Sequence, residues 1–61
     1  MYTVAYEFVA SDNDVWDIAE YEAPTRELAM HIAEQIQETA SRGEMIYITN
    51  HLTEETQYIR C

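Results

Sequence analysis

Residues 2–10, Tyr2-Thr3-Val4-Ala5-Tyr6-Glu7-Phe8-Val9-Ala10, decide the reading of this chain. Large apolar groups recur at Tyr2, Val4, Tyr6 and Phe8, a period of two rich in aromatic and β-branched residues, which marks a strand with one buried face. Ser11-Asp12-Asn13-Asp14 follows as a turn cluster, because short polar side chains bond their own backbone and tolerate left-handed φ. Val15-Trp16-Asp17-Ile18-Ala19-Glu20-Tyr21-Glu22 then reads as the returning strand. Two registers are open. A three-residue loop, the preferred choice, pairs Phe8 with Trp16 and Tyr6 with Ile18. A two- or four-residue loop instead groups Tyr2, Val4, Tyr6 and Phe8 with Val15, Ala19 and Tyr21, since a slip of one residue exchanges the faces.

Ala23-Pro24-Thr25 begins a helix, with Thr25 as N-cap and Glu27 at the positive end of the dipole. From Arg26 to about Ser41, Leu28, Ile32, Ile36 and Ala40, joined by Ala29 and Ala33, share one face at i, i+4 spacing. Arg42 and Gly43 are stop signals. Residues 44–50 form a third strand with Ile46 and Ile48 pointing inward, and residues 57–60 a short fourth. The expected fold is α+β, a small antiparallel sheet of three to four strands with one helix on one face, in the order ββαββ. Sixty-one residues make a single domain, 1–61. A core of this size contributes only about 3–5 kcal/mol net.

The charge is the most informative number. Twelve Asp and Glu face three Arg and no Lys, a net −9, and residues 1–25 hold no basic residue at all. With 48% apolar residues and seven aromatics the chain is nonetheless that of a folded protein. Having no Lys removes Schiff-base and phosphate-loop lysines, and one glycine cannot build a phosphate cradle. Direct nucleic-acid binding needs clustered Lys and Arg, whereas Arg26, Arg42 and Arg60 stand singly among acids. Anionic membrane surfaces repel the chain, apolar runs of three to five residues cannot span a bilayer, and no signal-peptide pattern is visible. A lone Cys61 cannot form an internal disulfide, so a reducing, cytoplasmic setting is expected.

Two acidic groups stand out. Asp12, Asp14, Asp17, Glu20 and Glu22 crowd the hairpin, where strands disfavour Asp and Glu and like charges across strands repel. Glu27, Glu34 and Glu38 fall with His31 within about a 60° arc of the helix, opposite its apolar face. Such a surface can simply keep a small protein soluble, or belong to a halophile. It can also imitate phosphates. Residues i and i+2 on one strand face lie about 6.6–6.8 Å apart, close to twice the 3.4 Å rise per nucleotide along one strand. The expected partner is then a basic, nucleic-acid-binding surface on another protein, and Asp12, Asp14, Asp17, Glu20, Glu22, Glu27, Glu34 and Glu38 are the contact residues.

His31 with Glu27 and Glu34 has three potential ligands but not the H-E-x-x-H pattern, so a solvated His beside carboxylates is the reading, with no metal and no cofactor. No nucleophile–base spacing is recognisable, and an enzyme is not expected. Tyr2, Tyr6, Tyr21, Tyr47, Tyr58 and Trp16 cannot all enter one small core. The aromatics left outside, Tyr47 or Tyr58 among them, form a second surface, suited to a homodimer or another partner.

The layout strand–turn–strand, Glu22-Ala23-Pro24-Thr25 leading into a helix with spaced alanines, then Gly43-Glu44-Met45-Ile46-Tyr47-Ile48, resembles small acidic proteins of phages and mobile elements, including anti-CRISPR and anti-restriction proteins. The resemblance covers roughly residues 2–50 and implies an inhibitor of a host-defence protein. It assigns a role to no individual residue.

Overall fold

The computed structural model describes residues 1–10 and 15–61. Strand β1 (Tyr2–Ala10) and strand β2 (Val15–Ala23) lead into helix α1 (Arg26–Thr39), followed by strands β3 (Met45–Asn50) and β4 (Thr56–Arg60). All strand neighbours are antiparallel, and the sheet runs in the order β2-β1-β3-β4. This is the expected small α+β fold, ββαββ, with the fourth strand formed. The turn expected at residues 11–14 lies outside the described residues.

The register of the hairpin corrects the preferred one. Phe8 pairs with Asp17 and Tyr6 with Ala19, not with Trp16 and Ile18. Tyr2, Val4, Tyr6 and Phe8 therefore share the helix side with Ala23, Tyr21, Ala19 and Asp17. The reason lies in the helix. Its two buried residues are Ala29 and Ala33, so its backbone comes close to the sheet, where Ala23, also fully buried, leaves room. In the other register Trp16 and Ile18 would occupy that side and hold the helix off.

The core consists of Val4, Ala23, Ala29, Ala33, Ile46 and Ile48, flanked by Tyr2, Tyr6, Met30, Ile32, Ile36, Ile59 and Cys61. Leu28, expected on the buried face, is 40% exposed. At about 100° per residue it lies roughly 120° from the Ala29–Ala33 direction, whereas Met30 and Ile32 lie at about 80°. Thr25 caps the helix as expected, its side chain accepting the Leu28 N–H at 3.2 Å. The helix stops at Thr39, two residues short of the expected end. Ala40 is extended, and the Ser41 N–H bonds to the Glu44 side chain at 2.7 Å. Gly43 follows at φ +94°, a conformation costly to any residue with a Cβ, and its N–H donates to the Cys61 carbonyl.

The molecule measures 36 × 20 × 16 Å, with a radius of gyration of 11.6 Å, somewhat above the ~10–11 Å of a compact chain this long. No described helix is long and apolar enough to cross a membrane.

Candidate functional site

The sheet has one covered face and one open face. Strand alternation puts Thr3, Ala5, Glu7 and Val9 of β1 on the open face with Trp16, Ile18, Glu20 and Glu22 of β2. Met45, Tyr47 and Thr49 of β3 and Thr56, Tyr58 and Arg60 of β4 complete it. Apolar groups gather toward its centre and one end. Trp16 is 56% exposed, Ile18 54% and Tyr58 65%. Tyr58 and Tyr47 sit directly opposite each other and make an edge-to-face pair with centroids 5.2 Å apart.

Carboxylates border these aromatics. Glu20 and Glu22 are exposed and stand two residues apart on one face, hence about 6.6–6.8 Å apart along the strand. Glu7, on the neighbouring strand and diagonal to Glu20, accepts a hydrogen bond from the Tyr47 hydroxyl at 3.2 Å. Burial, and then this bond to a carboxylate, raise the Tyr47 pKa above its ordinary value.

The structure separates the expected contact residues instead of assembling them. Asp17 points to the helix side of the sheet, opposite Phe8, while Glu20 and Glu22 point to the open side. Glu27, Glu34 and Glu38 are exposed on α1, which covers the other face. Asp12 and Asp14 lie outside the described residues. Of the expected contact residues, Glu20 and Glu22 thus form one group with Glu7 on the open face, and Glu27, Glu34 and Glu38 a second along the helix facing the other way. The cause is the two-residue period of a strand, which sends Asp17 and Glu20 to opposite faces although both lie in one acid-rich stretch.

His31 is exposed and lines a shallow groove with Arg26, Glu27, Met30 and Glu34. Among the described residues no group of three or more His, Cys, Asp and Glu side chains is placed to hold a metal ion. A second pocket of ≈ 240 Å³ lies beside the start of the helix, lined by Tyr2, Arg26, Asn50, Glu55 and Gln57 among others.

One carboxylate outside the expected contact residues, Glu44, is held by three hydrogen bonds. The expected third strand begins at Glu44, whereas β3 begins at Met45. Glu44 is buried, and its side chain accepts from the Tyr6 hydroxyl, from the Ser41 N–H at 2.7 Å and from the Val9 N–H at 3.2 Å. The pairing of β1 with β3 ends at Glu7 and Met45, so Val9 has no strand partner on that side and the Glu44 carboxylate takes its place. The Tyr6 hydroxyl, with the Ser41 and Val9 N–H groups, holds the Glu44 carboxyl below its usual range despite burial. Burial, and then the Glu44 carboxylate, push Tyr6 up to about 12. The available signal was an acid immediately after the only glycine, at a point where a loop must rejoin the sheet.

Compared with known proteins, the chain matches no family model, no curated protein and no solved structure.

Proposed function

We propose that this chain is a binding protein and not an enzyme, and that its carboxylates seat it on a cationic, nucleic-acid-binding surface of another protein. It would occupy the place of the nucleic acid there, as an inhibitor of a defence protein does. The observation that carries this reading is the exposed pair Glu20 and Glu22, with Glu7 beside them, on a strand pair that contains no basic residue. Their spacing approximates that of successive phosphates along a nucleic-acid strand. Trp16 and Ile18, on the same face, supply the apolar anchors that a protein contact needs in addition to charge. Because the helix acids face the other way, a single cationic cleft engages the sheet group, and Glu27, Glu34 and Glu38 contribute long-range attraction alone.

The test is affinity capture from a lysate of the source cells at about 50 and 200 mM salt, followed by competition between this chain and nucleic acid for the captured protein. The triple variant Glu7→Lys, Glu20→Lys, Glu22→Lys, checked for folding by circular dichroism, should lose both capture and competition. The double variant Glu34→Lys, Glu38→Lys should keep them. Capture that ignores salt and survives the triple variant would reject the proposal.

A second reading is favoured by the Tyr47–Tyr58 pair together with Trp16 and Ile18 on the uncovered face. There the chain is a homodimeric interaction module joined through its aromatics. It predicts a dimer by sedimentation, little salt dependence, and dissociation by Tyr58→Ala.

A further inference from the structure

Strand β2 is an outer strand, and its free edge runs for nine residues. Sheet edges are ordinarily kept short, bulged, or furnished with charged side chains or Pro, because an open row of backbone donors and acceptors templates another strand. Here the pairing of β2 with β1 is unbroken from Val15 to Ala23, without a bulge, the strand holds no Pro, and its charged residues, Asp17, Glu20 and Glu22, are all acidic, so they guard the edge against another acidic strand and leave it open to a basic one.

The hydrogen-bond pattern identifies the outward groups. The His51 N–H donates to the Met1 carbonyl at 3.1 Å, so odd-numbered residues of β1 bond to β3 and even-numbered ones to β2. Val4 with Tyr21 and Tyr6 with Ala19 are then hydrogen-bonded pairs, and the alternate residues of β2, namely Trp16, Ile18, Glu20 and Glu22, turn their N–H and C=O away from the sheet. Ile18 supports this independently. Its N–H donates to the Asp17 carboxylate at 2.8 Å rather than to β1, and an added strand takes that donor over, freeing the carboxylate for a cation. Side chains beside this edge are uncovered on both faces, with Trp16 and Ile18 on one side and Val15 and Tyr21 on the other all exposed.

We infer that the β2 edge takes up an extended basic segment of another protein as an additional antiparallel strand. The inference rests on the reading above that the partner is cationic, and it specifies how that partner is held. Charge complementarity selects the occupant. An incoming strand meets Glu20 and Glu22 on the open face and Asp17 on the helix face, so cations belong at those three positions. Opposite Trp16 and Ile18 it needs apolar groups. Main-chain bonds give the affinity and this alternation gives the specificity. A second copy of the chain would bring the same three carboxylates and a further −9.

A synthetic peptide of about eight residues, R-T-K-V-I-K-V-T, has this alternation. Run antiparallel from Glu22 to Val15, it sets its Arg and two Lys opposite Glu22, Glu20 and Asp17. The comparison is the same peptide N-methylated on the two amides that face Glu20 and Ile18, which keeps the charge and removes the donors. The parent should bind, should slow hydrogen exchange at the Glu20 and Glu22 amides, and should bind at least about tenfold more tightly than the methylated form. In the protein, Glu20→Gln should weaken binding a few-fold and Glu20→Pro more than about tenfold, proline being tolerated on an edge where the N–H faces solvent. If Glu20→Pro does not fold, the peptide pair decides alone. Equal binding of both peptides overturns strand addition and leaves the charge reading standing. Binding by neither overturns both. A dimer by sedimentation that Glu20→Pro dissolves assigns the edge to a second copy and also overturns the inference.

Discussion

Glu44 and Tyr6 show how much one side chain organises in a chain this small. The Glu44 carboxylate joins the end of β1, the loop after the helix and the Tyr6 ring on the helix side of the sheet. Replacing one of its two oxygens by an amide NH2 leaves either the Val9 N–H, or the Ser41 N–H and Tyr6 O–H, facing a donor, and unmade buried hydrogen bonds cost more than made ones contribute. Glu44→Gln should lower the unfolding midpoint, by on the order of 5 °C. It should also bring the Tyr6 ionisation down from about 12 toward 10 in a spectrophotometric titration. An unchanged tyrosine profile would show that the bond does not form in solution. The pH dependence follows from the directions of the two shifts. The Glu44 carboxyl is lowered on folding, so its contribution is complete above the ordinary value of 4.5 and is lost as pH falls through its folded value. Tyr6 is raised, so its contribution is complete below 10 and fades as pH rises through about 12.

At the scale of elements, α1 meets the sheet along a ridge of small residues. Because Ala29 and Ala33 are buried while Leu28 is 40% exposed, large and small substitutions should have inverted effects there. Ala33→Leu should destabilise by about 1–3 kcal/mol through overpacking. Leu28→Ala should cost well under the ~2–5 kcal/mol of a buried leucine, and chemical denaturation measures both. A larger loss at Leu28 than at Ala33 would mean the helix is rotated from the orientation described. The helix itself was legible, since Thr25 as cap, Glu27 in the first turn and the i, i+4 apolar spacing are local signals. Its rotation about its own axis was not, because a stripe read from periodicity is broad, and residues such as Leu28 at its margin are assigned by the surface they meet. The hairpin behaves likewise. Alternation marked β1 and β2 as strands, but the choice between Phe8–Trp16 and Phe8–Asp17 depended on the helix that packs against them.

Across the whole molecule, net charge opposes folding through self-repulsion. Raising salt from about 10 mM to 0.5 M shortens the screening length from about 30 Å to a few ångströms, and the melting temperature should rise with it. A melting temperature unaffected by salt would mean that the carboxylates are far enough apart to cost nothing. The sequence by itself determined the element order ββαββ, the helix cap and the −9 balance, because alternation, capping and composition are properties of neighbouring residues. Only the tertiary structure decided that Asp17 faces away from Glu20 and Glu22, that the helix acids lie on the other side of the sheet, and that Glu44 is a buried acceptor. Those facts depend on register and on which surfaces meet, and residues tens of positions apart set them: Ala29 and Ala33 hold the helix close to the sheet, and Tyr6 and Val9 reach Glu44 across the end of β3.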